Sequence, residues 1–439
     1  IQKGIEQLDW KAIYRQKRTT AQEAVKHIKS GDRVSLSHAV GEPTHIIEAM
    51  VANREAYRNV EITHMISMGQ SKYAQPGMEP YFRHNSLFVG GTTRKTVRDG
   101  HGDFTPCYFS EIPNLWHRTM PLDVAVIHVS RPDEHGYCSL GVSVDYSKHA
   151  VKEANLVIAQ VNSQMPRTLG DTFVHISDMD MIVEHDAPLI ELAPPVITDV
   201  ERAIGEYCAS LIRDGDCLQL GIGAIPDAVL LSLKNKKDLG IHSEMFSDGV
   251  VELVESGIIN NSKKNFHRDR MVATFLMGTK RLYDFVDNNP MVAMYPATYT
   301  NDPYVAGKND NLVSINSCVQ VDLLGQVCSE SVGTTQISAV GGQVDFVRAS
   351  ALSRGGRSII AMPSTAAGGT ISKIVATLDE GAAVTTNRYD VEYVITEYGI
   401  AHLKYHTVRE RARMLIHIAH PAFRDGLAES FEKRFRCKF

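Results

Sequence analysis

The stretch GDRVSLS at Gly31–Ser37 returns in altered form as GDCLQLG at Gly215–Gly221. In each place a Gly-Asp turn leads into a short, mostly apolar run, which is typical of a buried strand. A helix-like segment precedes each stretch and another follows it. These segments span 21–30 and 46–53 around the first stretch, and 201–214 and 227–234 around the second. The repetition predicts one helix–strand–loop–helix unit that is used twice.

The similarity between the two halves continues along the chain in the same order. Four later apolar runs pair across the halves: 60–65 with 239–244, 124–127 with 312–315, 156–159 with 358–361, and 181–183 with 393–395. Short apolar runs separated by helix-length segments indicate parallel strands that are buried on both faces. We therefore predict an α/β fold of two similar parallel-sheet domains related by internal duplication. The predicted domains are 1–190 and 191–439, and the proline-containing stretch 187–195 is the expected junction.

Composition excludes several classes of protein. A chain of 439 residues with 43% hydrophobic and 22% charged residues is typical of a folded protein with two domains. A net charge of −5 lacks the basic excess of nucleic-acid-binding proteins. No run of eighteen apolar residues predicts a membrane span, and residues 1–6 do not resemble a secretory signal. The seven cysteines show no CxxC pair, so we expect reduced thiols in a cytoplasmic protein without a bound metal.

A glycine loop, GIGAIP at Gly221–Pro226, follows the second copy of the strand. Ligands of open α/β sheets bind at the carboxyl ends of strands, and glycines let backbone N–H groups approach an anion. The loop lacks the third glycine of the dinucleotide fingerprint and the Gly-Lys-Ser/Thr ending of a P-loop. The loop alone is equally compatible with a phosphate or oxyanion cradle and with a tight strand-to-helix turn.

The next strand ends differently in the two halves. The second half has HSEMFSDG at His242–Gly249, and the first half has Met65 at the position of Glu244. A carboxylate kept in one copy only, beside an amide-lined loop, suits covalent catalysis on an acyl group. The alternative is that Glu244 caps a helix that starts near Ser247. The asymmetry between the copies favours a catalytic role.

Other constellations favour structural roles. His402 and His406 have i, i+4 spacing and could share a helix face, but no HExxH motif accompanies them. The sequence contains no GxSxG nucleophile elbow, so a serine-hydrolase mechanism is disfavoured. Cys138 and Cys328 are expected to be small buried residues. The loop DEHG at 133–136 is expected to form a turn.

Six longer stretches carry a resemblance to a known family. They are LGIGAIPDA at 220–228, GIHSEMFSDGVVEL at 240–253, VSINS at 313–317 with DLLGQV at 322–327, GGQVDF at 341–346 and YVITEYGIA at 393–401. Together they make the chain resemble the acetyl-CoA hydrolase/transferase branch of the class I CoA-transferases over nearly its whole length. The resemblance implies that Glu244 is the nucleophile and forms a glutamyl-CoA thioester. It also implies a site that does not raise the pKa of Glu244 far, because the ionised form attacks.

The same resemblance implies a set of residues that bind CoA through backbone groups. They are Gly221, Ile222, Gly223, Ala224 and Ile225, which also line the oxyanion site, together with Val319, Gly342 and Gly369. Members of the family can carry Lys-Asn where this chain has Ala367-Gly368, so no side-chain contact to CoA is expected at that place.

The implied activity is CoA transfer between acetyl-CoA, or another short-chain acyl-CoA, and a free carboxylate such as 4-hydroxybutyrate. Acetyl-CoA hydrolysis and transfer between butyrate and acetate are the alternatives within the family. A non-catalytic sensor of a sugar phosphate or a CoA ester is disfavoured by Glu244. CoA enters as substrate rather than as a permanent cofactor, and the expected assembly is a homodimer without nucleic-acid or membrane partners.

Overall fold

The computed structural model describes residues 9–439, so the N-terminal stretch considered for a secretory signal lies outside the described residues. The α-helices are Trp10–Lys17, Ala21–Ala24, Thr44–Ala52, Arg94–Arg98, Ile112–Arg118, Ser147–Glu153, Asp199–Ser210, Ala224–Leu231, Asp248–Glu255, Lys280–Val286, Ala297–Thr300, Pro303–Ala306, Gln343–Leu352, Val408–Ile418 and Pro421–Phe435.

Eight parallel strands form the sheet of the first half. In chain order they are β1 (Arg18–Thr19), β2 (Arg33–Leu36), β3 (Val60–His64), β4 (Phe82–Ser86), β5 (Gly102–Phe104), β6 (Val124–Val129), β7 (Leu156–Val161) and β8 (Met181–Glu184). Their spatial order is β1-β8-β7-β6-β2-β3-β4-β5, and every neighbouring pair is parallel.

Six strands form the main sheet of the second half. They are β9 (Cys217–Leu220), β10 (Gly240–Ile241), β11 (Leu312–Asn316), β12 (Arg357–Ala361), β13 (Tyr393–Thr396) and β14 (Gly399–His402). Their spatial order is β10-β9-β11-β12-β13-β14, and only the pair formed by β13 and β14 is antiparallel.

The five strands that the sequence matches across the halves occupy the same relative places. The first sheet contains them in the order β8-β7-β6-β2-β3, and the second contains their counterparts in the order β13-β12-β11-β9-β10. The predicted α/β fold with two parallel-sheet halves is confirmed. Internal duplication stays a prediction, which this shared order supports.

The Gly-Asp turn has the same geometry in both halves. Gly31 and Gly215 have φ angles of 85° and 81°, a left-handed conformation that favours glycine. The following aspartates, Asp32 and Asp216, accept backbone hydrogen bonds of 2.8 and 2.7 Å from the residue three positions earlier. Each turn therefore ends a helical segment and starts a central strand. The helix before Gly31 is shorter than the predicted segment 21–30, because Ala21–Ala24 passes into a 3₁₀ turn at 25–27.

The two halves share packing as well as a junction. The largest hydrophobic cluster contains residues of both, and Leu169–Gly170 of the first half pairs in parallel with Val292–Met294 of the second. The division at residue 190 stays a prediction. The remaining short strands are Tyr137–Ser139, Phe173–His175, Met245–Phe246, Met271–Ala273, Phe275–Leu276, Gln320–Asp322, Val327–Cys328, Ser331–Val332, Thr335–Gln336, Thr365–Ala366, Ile371–Ser372 and Ile374–Val375.

Several smaller predictions can be compared with the structure. Cys138 and Cys328 are buried, and the carboxylate of Asp133 closes its turn by accepting two backbone N–H groups. His402 ends β14 and His406 lies in the following turn, so the shared helix face was wrong. Across residues 9–439, no cluster of three or more His, Cys, Asp or Glu residues could hold a metal ion. Within the same residues, no helix has the length and apolar character needed to cross a membrane.

Candidate active site

Most of the predicted site residues follow strands of the second sheet. The Gly221 loop follows β9, Glu244 lies shortly after β10, Val319 follows β11, and Gly369 lies in the loop after β12. Because these strands are parallel, all four loops leave the same edge of the sheet. Gly342 lies between β11 and β12, immediately before the helix Gln343–Leu352.

The glycine loop is tied to the segment that carries Glu244. The Ser243 hydroxyl donates a 2.9 Å hydrogen bond to the carbonyl of Leu220 and accepts one of 3.2 Å from its N–H group. Gly223 has a φ of 109°, which allows the chain to turn directly into the helix Ala224–Leu231. That helix has no side-chain cap among the described residues, so its first N–H groups remain available to an anion.

Glu244 is held by groups from two distant parts of the second half. Nδ2 of Asn301 donates a 2.7 Å hydrogen bond to Oε2 of Glu244, and the backbone N–H group of Gly342 lies near the same carboxyl group and favours its charged form. A Cβ atom on Gly342 would overlap both Oε2 of Glu244 and Nδ2 of Asn301. Only glycine therefore fits beside this pair.

The backbone of Glu244 is fixed as firmly as its side chain. Its carbonyl oxygen accepts hydrogen bonds of 2.9 Å from the N–H group of Thr274 and 3.2 Å from that of Phe275. The alternative role as a helix cap was wrong. The helix Asp248–Glu255 follows Ser247 and has no side-chain cap, and the Glu244 carboxyl group bonds Asn301 instead.

The surroundings of Glu244 disfavour its charged form. The pKa of Glu244 is raised from 4.5 to about 8, mainly by burial and with smaller contributions from the nearby charges of Asp345 and Asp145. The hydrogen bond from Asn301 and the backbone N–H group of Gly342 act in the opposite direction, because they stabilise the carboxylate. The expectation that the site does not raise the pKa of Glu244 far was wrong. The ionised form of Glu244 is therefore disfavoured at neutral pH.

The first half contributes a wall of the site that sequence patterns did not reveal. The N–H group of Phe109 donates a 3.1 Å hydrogen bond to the carbonyl of Gly341, next to Gly342. Ser110 binds the carboxyl group of Asp345 with its hydroxyl and its N–H group, at 2.9 and 3.3 Å. The site therefore lies where the two halves meet.

Three of the residues named here, Asn301, Asp345 and Ser110, had no predicted role. Asn301 lies outside the stretches that carry the family resemblance, and Ser110 lies in the other half of the chain. Asp345 lies within GGQVDF, one of the stretches that carry the family resemblance. That stretch was the one sequence feature that pointed to this position. The counterpart of Glu244 in the first half, Met65, is a buried core residue, as the asymmetry implied.

The remaining predicted CoA contacts, Val319 and Gly369, differ in whether hydrogen bonds connect them to the site. The N–H group of Val319 donates to the carbonyl of Cys328, and Gln343 bonds the hydroxyl of the adjacent Ser329. Val319 is thus linked to the residue after Gly342. Gly369 lies in an exposed loop with a φ of 90°. No hydrogen bond within residues 9–439 joins that loop to Glu244.

Comparison with known proteins identifies the family of this chain. Residues 2–194 match the acetyl-CoA hydrolase/transferase N-terminal domain, and residues 278–431 match the acetyl-CoA hydrolase/transferase C-terminal domain. The chain belongs to the acetyl-CoA hydrolase/transferase family. The resemblance that the sequence motifs indicated is confirmed.

Individual relatives match nearly the whole chain. It is 61% identical to the 4-hydroxybutyrate coenzyme A transferase of Clostridium kluyveri, over 98% of this chain and 100% of the relative. It is 48% identical to the succinyl-CoA:cyclohexane-1-carboxylate CoA transferase of Geobacter metallireducens, over 96% and 97%. The crystal structure of a 4-hydroxybutyrate CoA-transferase from Porphyromonas gingivalis matches with a TM-score of 0.85 at 45% identity, covering 97% of this chain and 100% of that one.

Proposed function

We propose that this protein is a CoA-transferase that moves CoA between acetyl-CoA, or another short-chain acyl-CoA, and a free carboxylate such as 4-hydroxybutyrate. The observation that carries the proposal is the carboxyl group of Glu244, held by Asn301 and Gly342 at the carboxyl edge of the second sheet. The similarity to a 4-hydroxybutyrate coenzyme A transferase over the full length supports the choice of substrates.

In the first step of the proposed mechanism, the ionised Glu244 attacks the thioester carbonyl of the acyl-CoA. The C–S bond breaks, CoA leaves as a thiolate, and an acyl-glutamyl anhydride forms. The step requires the deprotonated form of Glu244. The pKa of about 8 therefore makes the first half-reaction faster as the pH rises through that value.

In the second step the CoA thiolate attacks the glutamyl carbonyl carbon of the anhydride. The Glu244 oxygen held by Asn301 and Gly342 then carries the developing negative charge, so the two N–H donors act as an oxyanion hole. The donor acid leaves as a carboxylate, and a glutamyl-CoA thioester remains. An acceptor carboxylate attacks this thioester, and the two steps run in reverse to give the new acyl-CoA.

The CoA moiety is proposed to lie along the carboxyl edge of the second sheet, contacted mainly by backbone groups. The available N–H groups at the start of the helix Ala224–Leu231 suit its negatively charged phosphates. The proposed contacts are Gly221, Ile222, Gly223, Ala224, Ile225, Val319, Gly342 and Gly369. CoA is a substrate in this scheme, and no permanently bound cofactor is proposed.

The acceptor acid decides between transfer and hydrolysis. We expect release of free acid from acetyl-CoA to be slow in water alone, and formation of the new acyl-CoA to be fast when 4-hydroxybutyrate or butyrate is added. Equal rates of acetyl-CoA consumption with and without added carboxylate would support a hydrolase instead. A panel that also contains cyclohexane-1-carboxylate and succinate would rank the acceptors.

The assembly and the compartment are further parts of the proposal. A homodimer is the proposed assembly, and light scattering after gel filtration tests it directly. The cytoplasm is the proposed location, since none of the seven cysteines, all of which lie within residues 9–439, forms a disulfide. Fluorescence microscopy of a tagged full-length chain tests this location.

A further inference from the structure

A buried carboxyl group, Asp345, lies near Glu244 and has no part in the steps above. It occupies the first turn of the helix Gln343–Leu352, and only 3% of its surface is exposed. Both of its oxygens accept hydrogen bonds from Ser110, one from the hydroxyl group and one from the backbone N–H group. The first half of the chain therefore determines where this carboxyl group lies.

Asn301 connects the two carboxyl groups. Its Nδ2 atom donates to Oε2 of Glu244 at 2.7 Å, and its side chain lies close enough to Asp345 to stabilise the charged form of that carboxyl group. The Asn301 side chain is fully buried, and its Oδ1 atom has no hydrogen-bond partner among the described residues. The orientation of this amide thus depends on the two acidic side chains that it contacts.

We propose that Asp345 is a positioning residue for Glu244. Held by Ser110, it orients the amide of Asn301 toward Glu244 and places a negative charge that opposes ionisation of the nucleophile. The inference rests on the proposed function, because it takes Glu244 to be the attacking group. The contact between the two halves, made by Ser110 and Asp345, thereby influences the reactivity of Glu244.

The charges around the pair support this role. Burial is the main cause that raises the pKa of Asp345 from 3.8 to about 7, and the charge of Asp345 in turn raises the pKa of Glu244. Two interacting carboxyl groups titrate as a coupled pair, and the first charge makes the second proton harder to remove. The other titratable groups that face them are Glu111 and Cys107 beside Asp345, and Asp145, which lies 3.4 Å from His38, beside Glu244.

The test measures the pH dependence of kcat/KM for acetyl-CoA with 4-hydroxybutyrate as acceptor. Replacement of Asp345 by Asn removes the charge at constant volume. We expect the rise of kcat/KM to move to lower pH by about one unit, with a lower kcat because Asn301 is less well oriented. Ser110→Ala weakens the anchoring of the Asp345 charge, so it should shift the profile in the same direction by less. Asp123→Asn is the control, because Asp123 accepts a hydrogen bond from the N–H group of Arg33 at the amino ends of β2 and β6, away from Glu244.

An unmoved profile in Ser110→Ala and Asp345→Asn would overturn the inference. Should Asp345→Asn fail to fold, the Ser110→Ala profile decides alone. The variant Glu244→Gln distinguishes a failure of this inference about Asp345 from a failure of the proposed function. If the Gln variant still transfers CoA, the proposed nucleophile is wrong. If it is inactive while the other two profiles match the wild type, only the role of Asp345 is wrong.

Discussion

Asn301 donates a 2.7 Å hydrogen bond to Oε2 of Glu244 across 57 positions of the sequence. The same amide contacts Asp345, so one buried side chain touches both acidic groups of the site. In the proposed mechanism this donor stabilises the charged forms of Glu244, first as carboxylate and then as oxyanion. Its removal should therefore affect catalysis more than substrate binding.

Replacement of Asn301 by Ala is expected to lower kcat by roughly 10²-fold, the usual cost of losing one oxyanion donor. The KM for acetyl-CoA should change little, because Asn301 contacts Glu244 rather than the predicted CoA loop. Steady-state kinetics at a fixed acceptor concentration measure both. Asn260→Ala, which removes a hydrogen bond to Asp238 away from the site, is the matched control. A variant with raised KM and normal kcat would contradict the assigned role.

Gly342→Ala should abolish transfer while the protein still folds. A Cβ atom there would overlap the Glu244 carboxyl group and the Asn301 amide, so the hydrogen-bonded pair could not form. Gly426→Ala is the control, because Gly426 lies in the helix Pro421–Phe435 with open space around it. Circular dichroism verifies folding, and the transfer assay gives the result. Near-normal activity of Gly342→Ala would show that the close approach is not needed.

The pKa of Glu244 also predicts a pH-dependent effect on stability. Below about pH 4.5 the folded and unfolded chains both hold this proton. Between pH 4.5 and about 8 the unfolded chain has lost the proton while the folded chain retains it, so the contribution of Glu244 to stability falls as the pH rises through this window. Glu244→Gln cannot ionise. Its Tm should equal that of the wild type near pH 4 and exceed it at about pH 8.5.

Differential scanning calorimetry at the two pH values measures this effect. Glu255→Gln serves as the control, because Glu255 forms an exposed ion pair with Arg281 and should show no comparable trend. A Tm difference between Glu244→Gln and the wild type that stays constant with pH would contradict the raised pKa.

Much of the fold could be predicted because it depends on local patterns. The Gly-Asp turns at Gly31 and Gly215 and the apolar runs between helices identified both sheets, and the order of the matched runs agrees with the order of the strands. Glu244 was identifiable because the matched position in the first half holds Met65. Repeated local chemistry and one departure from it were sufficient for these predictions.

The surroundings of Glu244 could not be predicted, because they depend on contacts between distant segments. Asn301 reaches Glu244 across 57 positions, and Ser110 reaches Asp345 across 235. No spacing rule connects such residues, and their positions follow only once the two halves have packed together. The raised pKa was missed for the same reason, since burial and the charge of Asp345 cause it.

The central claim is that Glu244 carries CoA during the reaction. Wild-type protein incubated with acetyl-CoA and then digested should yield a peptide containing Glu244 with CoA attached, seen by mass spectrometry. Borohydride should reduce this thioester, release CoA and inactivate the enzyme. Glu244→Gln should show neither the adduct nor the inactivation and should lose transfer by roughly 10³-fold or more. A CoA adduct at another residue, or transfer retained in Glu244→Gln, would contradict the account.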